Sequence, residues 1–253
     1  MASPIAAERE VTENSPPARS VGGVARSAGV VAFQFHPTRL FAACAAAALL
    51  LCSTAQAQVT LIDRQTLTAT ELNAPAIANH RLHLTLVRLE GTGWTRERAI
   101  GVVREAAPIL AQCGVALERA ELVNLSVPPR YLDFSAPAAR ELARAFAVSR
   151  PAIYFVRDTR SRPAFDAEAI GRGNSRTRPE LADTVWITAT TRDPGVALAH
   201  ELAHVLMDSG EHSEEPGNLM RDETSAKNTA LTAAQCVRLR DTASANGLLK
   251  GVQ

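Results

Sequence analysis

The sequence has almost no excess of charge: 27 Lys and Arg stand against 26 Asp and Glu in 253 residues. A formal net charge of +1 supplies no cationic field, so neither nucleic acid nor an anionic membrane surface is expected as a partner. Long apolar runs are lacking too. The run Phe41 to Cys52 has twelve residues, fewer than a transmembrane helix needs. Aromatics are sparse at 4%, but 46% apolar residues is an ordinary globular proportion and excludes disorder across the whole chain.

The run Phe41 to Cys52 follows Arg39 and precedes Ala55-Gln56-Ala57, the small-residue pattern that a signal peptidase accepts. Residues 1–57 therefore read as a leader and signal peptide, cut after Ala57, and the mature protein is expected in the periplasm or outside the cell. A buried hydrophobic helix is the alternative reading of the run. Four Arg and three Glu leave with the leader, so residues 58–253 are neutral and of a length suited to one domain, expected to be monomeric with no stable membrane association. Cys44 and Cys52 also leave. Cys113 and Cys236 remain, an even pair in an exported chain, which predicts one disulfide, with two free buried thiols as the alternative.

Residues 58–79 show no sustained period and read as an N-terminal arm, leaving 80–253 as the folded domain. Leu82, Leu84 and Leu86 alternate with more polar neighbours, as in a half-buried strand. Thr95 is placed to cap a helix running to about Gln112, with Pro108 expected to bend it. Val115 to Leu125 reads as a strand, Pro137 to Val148 as a helix, and Ala152 to Val156 as a short apolar strand, giving a βαβαβ order. Residues 158–183 form a long polar loop with room for a short strand near Ala167 to Ile170. The β-branched stretch Thr184 to Thr190 reads as a strand. Asp193-Pro194 should start a helix that Ser209-Gly210 ends, and a last helix spans about Thr232 to Ala245.

The helix after Pro194 carries His200-Glu201-Leu202-Ala203-His204, the pattern H-E-x-x-H. A spacing of four stacks two imidazoles on one face, one turn apart, where both can point a nitrogen at one metal ion. Zinc suits two neutral imidazoles and needs no redox chemistry. Glu201, next to the first ligand, is placed to act as general base on water activated by that ion. His80 and His83, three apart in a strand, point to opposite faces and read as ordinary strand residues.

The segment His200 to Met220, HELAHVLMDSGEHSEEPGNLM, resembles the active site of the metzincin zinc endopeptidases. Its second half, with His212-Ser213, Pro216-Gly217 and Leu219-Met220, is similar to the matrix metalloproteinase branch. The resemblance implies an α/β (α+β) domain built on a twisted mixed sheet, with an active-site helix and a C-terminal helix. It also implies one catalytic Zn2+ held by His200, His204 and His212, Met220 in a turn beneath the metal, and peptide-bond hydrolysis in a protein or peptide substrate. In that family an antiparallel edge strand aligns the substrate, a place that Val185 to Ala189 would take.

The family spacing would put Gly at 207 and the third His at 210, where Met207 and Gly210 stand. Gly210 is then the candidate for the chain reversal, and Asp208, Glu211, Glu214 and Glu215 remain rival third ligands. A downstream Glu would give a gluzincin-like protease. A closed site would give a non-catalytic zinc-binding interaction module. No Cys precedes residue 80 in the arm, so no cysteine-switch propeptide is indicated, and the loop 158–183 holds no His for a second, structural zinc. Asp158, Asp166 and Glu168 are candidate calcium ligands without further support.

Overall fold

The computed structural model describes residues 58–75 and 78–251. The leader and its cleavage position lie outside the described residues. Strands β1 (Thr60–Thr68), β2 (His80–Leu89), β3 (Val115–Ser126), β5 (Ala152–Val156), β7 (Ala167–Ile170), β8 (Thr184–Thr188) and β9 (Leu249–Gly251) form one sheet, while β4 (Asp133–Phe134) and β6 (Asp158–Thr159) pair separately. The helices are α1 (Arg96–Ala111), α2 (Ala136–Ala145), α3 (Pro194–Met207) and α4 (Ala233–Ala245).

The sheet runs β1-β3-β2-β5-β8-β7, with β9 also on β2. The four inner strands β3, β2, β5 and β8 are parallel, and β1 and β7 are antiparallel at the two edges. The fold is thus a mixed α/β one, a twisted mixed sheet with helices, as expected. Among the described residues no helix is long and apolar enough to cross a membrane.

Alternation along the inner strands sorts their side chains to two cores. Leu82, Leu84, Leu86, Ile153, Phe155, Val185 and Ile187 meet α1, α3 and α4 on one face, while Val87, Leu89, Tyr154, Val156 and Trp186 meet α2 on the other. The expectation that β2 is half-buried is corrected by this arrangement. Parallel strands joined through crossover helices are covered on both faces, and the second half of β2 is buried accordingly.

The N-terminal segment needs a larger correction. Its residues Thr60–Thr68 form β1, in register with β3 from Thr60↔Ser126 to Thr68↔Arg119. Only Leu67 of the nine is buried, so backbone pairing holds the strand and no apolar period announces it.

The predicted side-chain cap forms at α1, where Thr95 accepts from the Arg98 N–H, and α4 has a capping box in which Thr232 accepts from the Gln235 N–H. Helix α1 continues through Pro108. Asp193 starts α3 through its backbone carbonyl, which accepts from Ala197 N–H at 2.9 Å, while its side chain makes no cap bond. The Glu105 carboxylate stands against that first turn instead, so close that any side chain at Gly195 would collide with it. Cys113, just past the end of α1, is disulfide-bonded to Cys236 on α4 with 4.7 Å between their Cα atoms, as the cysteine count predicted. Helix α3 packs on α1 and α4 and is buried on nearly every side, which fixes the rotation of its H-E-x-x-H face.

Candidate metal centre

His200 and His204 are one turn apart on α3 and are 3% and 9% exposed. The Nδ1 of His200 lies 2.7 Å from the Leu219 carbonyl, and that of His204 lies 2.6 Å from the Ser209 carbonyl. A carbonyl only accepts, so both rings must carry their proton on Nδ1 and present a bare Nε2. Those two Nε2 atoms are 2.9 Å apart, and His204 Nε2 is 3.2 Å from His212 Nε2. Lone pairs facing one another at such distances repel unless a cation sits between them. Two nitrogens each about 2.0–2.1 Å from a tetrahedral zinc would be about 3.3 Å apart, close to what is found. The donor set therefore fits a zinc ion.

Burial favours the neutral form of His200 and His204. It lowers the pKa of His204 to about 4, helped by His200 beside it and opposed by the Ser209 carbonyl. His200 is shifted in the same direction, again mainly by burial. The Asp222 carboxylate stands 3.5 Å from His212 Nδ1. Nothing in the sequence marked Asp222, which is brought to His212 by the turn at Met220.

His212 reaches the cluster by a path that differs from the expected one. The residue that reverses the chain is Asp208, at φ 44° and ψ 50°, and Gly210 takes no left-handed conformation. The Ser209 N–H then returns to the His204 carbonyl at 3.1 Å, closing the helix end. The Asp208 carboxylate accepts from the Gly173 N–H at 2.8 Å, which ties the end of α3 to the loop after β7.

Two more residues then carry the chain to His212, and the next N–H, of Ser213, bonds the Met220 carbonyl at 2.7 Å. Met220 is buried in the core shared with α3.

The rival ligands are engaged or remote. Asp208 is held by Gly173, Glu211 pairs with Arg238, and Glu214 and Glu215 are exposed. Among the described residues, the group of three or more His, Cys, Asp or Glu that could hold a metal is His200, His204 and His212, with ligand atoms within 4.8 Å of one another. Asp158, Asp166 and Glu168 form no such group.

A cleft of about 500 Å³ opens over the three histidines, walled on one side by β7. Strand β8, expected at the edge, lies inside the sheet between β5 and β7, so the antiparallel edge is Ala167–Ile170. Glu201 is half-buried in the cleft wall next to His200. Burial pushes its pKa up to about 8, reinforced by the Glu168 carboxylate and opposed by the Ala169 N–H. Burial raises Glu168 as well, against the pull of Arg178. Asp166, Glu168, Glu201, Asp208 and Asp222 line the cleft, and among the described residues no Lys or Arg does.

No protein-family model matches the chain, and no curated protein matches its sequence. Among solved structures, metalloproteinase-II from Bacteroides fragilis is similar at 17% identity and a TM-score of 0.44, over 66% of this chain and 55% of that one. The chain spans about half the length of that protein.

Proposed function

We propose that the chain is an exported zinc metallopeptidase of metzincin type, closest to the matrix metalloproteinase branch around its site, that hydrolyses peptide bonds in protein or peptide substrates. The observation that carries this reading is the convergence of three Nε2 atoms, two of them with proton positions forced by backbone carbonyls, at the floor of an open cleft beside Glu201. His200, His204 and His212 are the ligands. A zinc ion bound there would polarise the scissile carbonyl and make an attacking water more acidic.

Glu201 adjoins the first ligand and lines the cleft; a dication bound beside it would favour the ionised form over the protonated one that burial favours, so its carboxylate could take the water proton and pass it to the leaving amine. Strand β7 ends the sheet, and its outer backbone edge, where the Ala169 N–H meets the Glu201 carboxylate, can hold an extended peptide across the site as one more strand. Met220 supports the ligands by packing. Residues 1–57 direct export and are removed, and the mature protein acts as a monomer in the periplasm or outside the cell, where the disulfide persists.

Metal content measured together with cleavage of a mixed peptide library tests the proposal. The expected result is one zinc per chain and peptide cleavage. Glu201→Gln should keep the zinc and lose about 10²–10⁴-fold in rate, the usual contribution of a general base. Unchanged cleavage by the zinc-loaded variant removes Glu201 from the mechanism. Stoichiometric zinc with no cleavage by the wild-type chain would identify a non-catalytic zinc-binding module instead.

A further inference from the structure

Two of the three histidines are held through the backbone of one short segment, Asn218 to Met220. The Leu219 carbonyl accepts from His200 Nδ1 at 2.7 Å, and the Met220 carbonyl accepts from the Ser213 N–H, adjacent to His212, at 2.7 Å. Backbone bonds tie this segment to Ala230, from Leu219 N–H to the Ala230 carbonyl at 2.6 Å and from Ala230 N–H to the Gly217 carbonyl at 3.0 Å, and a pair of side-chain amides adds to them. Asn218 Nδ2 donates to Gln235 Oε1 at 3.0 Å, and Gln235 Nε2 donates back to Asn218 Oδ1 at 3.1 Å. Each oxygen accepts a second, backbone bond: Asn218 Oδ1 from the Met220 N–H at 2.9 Å, and Gln235 Oε1 from the Thr232 N–H at 2.8 Å. Asn218 is buried, so these bonds have little competition from water.

Gln235 has one neighbour that matters. Cys236 is anchored by its disulfide to Cys113, past the end of α1, so the first turn of α4 cannot shift relative to the helix packed along α3. The path runs from a covalent anchor, through one side-chain pair, to the carbonyls that orient His200 and the strand of His212.

We infer that the Asn218–Gln235 amide pair is a positioning device for the metal centre, which sets zinc affinity by fixing the Leu219 and Met220 carbonyls. The inference rests on the zinc reading of the three histidines. Gln235 lines no part of the main cleft, and its side chain reaches the metal-holding segment through Asn218 and, by way of the Thr232 N–H, through the start of α4. Partners that orient metal-bound histidines are commonly worth 10–100-fold in affinity, and this pair acts one step behind such partners.

The test measures zinc dissociation constants by chelator competition on the full chain, with thermal unfolding of the metal-free forms alongside. Gln235→Ala and Asn218→Ala are expected to weaken zinc about tenfold or more. Asn218→Asp, which keeps the oxygen that accepts from Met220 N–H and Gln235 Nε2, should recover part of that loss. Thr232→Ala is the control: it removes the hydroxyl that accepts from the Gln235 backbone N–H but keeps the Thr232 N–H and both side-chain amides, so it should lower the melting temperature yet leave zinc affinity within about twofold.

Cobalt substituted at the site gives a second readout, since a shifted ligand changes its visible absorption in Gln235→Ala and not in Thr232→Ala. Should Asn218→Ala fail to fold, Gln235→Ala and Asn218→Asp carry the test. Equal loss of zinc affinity in Gln235→Ala and Thr232→Ala, or none in Gln235→Ala, overturns the positioning role while leaving the zinc reading intact. A wild-type chain that binds no zinc overturns both.

Discussion

Reducing the Cys113–Cys236 disulfide should destabilise the protein more than any single surface substitution. The bridge joins residues 123 apart in sequence. For a closed loop of that size the chain-entropy relation gives about 5 kcal/mol at 25 °C, whereas measured bridges usually contribute about 2–4 kcal/mol because the open chain keeps residual structure. Both cysteines are buried, and a reduced thiol fills nearly the same space as a small apolar group, so reduction changes the chain constraint with little change in packing. A domain of this size shifts by about 2–4 °C per kcal/mol, which puts the expected fall in melting temperature at about 5–15 °C.

Thermal and urea unfolding with and without a non-thiol reductant measure the effect. A chelator must be present throughout, since unfolded Cys and His side chains bind metal and would mask the difference. Coincident unfolding curves would refute the entropic reasoning. Two alkylatable thiols in protein isolated from an oxidising compartment would refute the bridge itself.

His212→Ala should abolish stoichiometric zinc under chelator competition, while Glu214→Gln and Glu215→Gln, both exposed and outside the cluster, should leave zinc content unchanged. Asp208→Ala should cost about 2–4 kcal/mol in urea unfolding, from a left-handed conformation that Ala resists and a lost charge-assisted bond to Gly173 N–H. Asp208→Asn, which tolerates that conformation and keeps an acceptor, should cost under about 1 kcal/mol. N-terminal sequencing of the exported protein should begin at Gln58, and a mature chain beginning well before Phe41 would end the signal-peptide reading.

What the sequence determined alone is whatever depends on neighbours within one turn of helix. The pairing of His200 with His204 follows from a spacing of four, and the cap at Thr95 from a backbone N–H three positions on. The compartment argument reached one distant feature, the Cys113–Cys236 bridge, because only two cysteines remained to pair.

Tertiary structure decided the rest. Strand β1 was hidden because an edge strand exposed along eight of nine residues carries no apolar alternation, and its pairing energy lies in backbone groups common to every sequence. Which of β7 and β8 is the edge depends on the order of strands across the sheet, a long-range property that the β-branched stretch Thr184–Thr188 does not encode. The family spacing left the reversal after α3 to Gly210, but the loop after β7 offers the Gly173 N–H to Asp208, and that contact spans 35 residues. Neither Asn218 nor Gln235 stands out in the sequence. They meet because the disulfide and the packing of α4 on α3 bring two otherwise local motifs to the same buried spot behind His200.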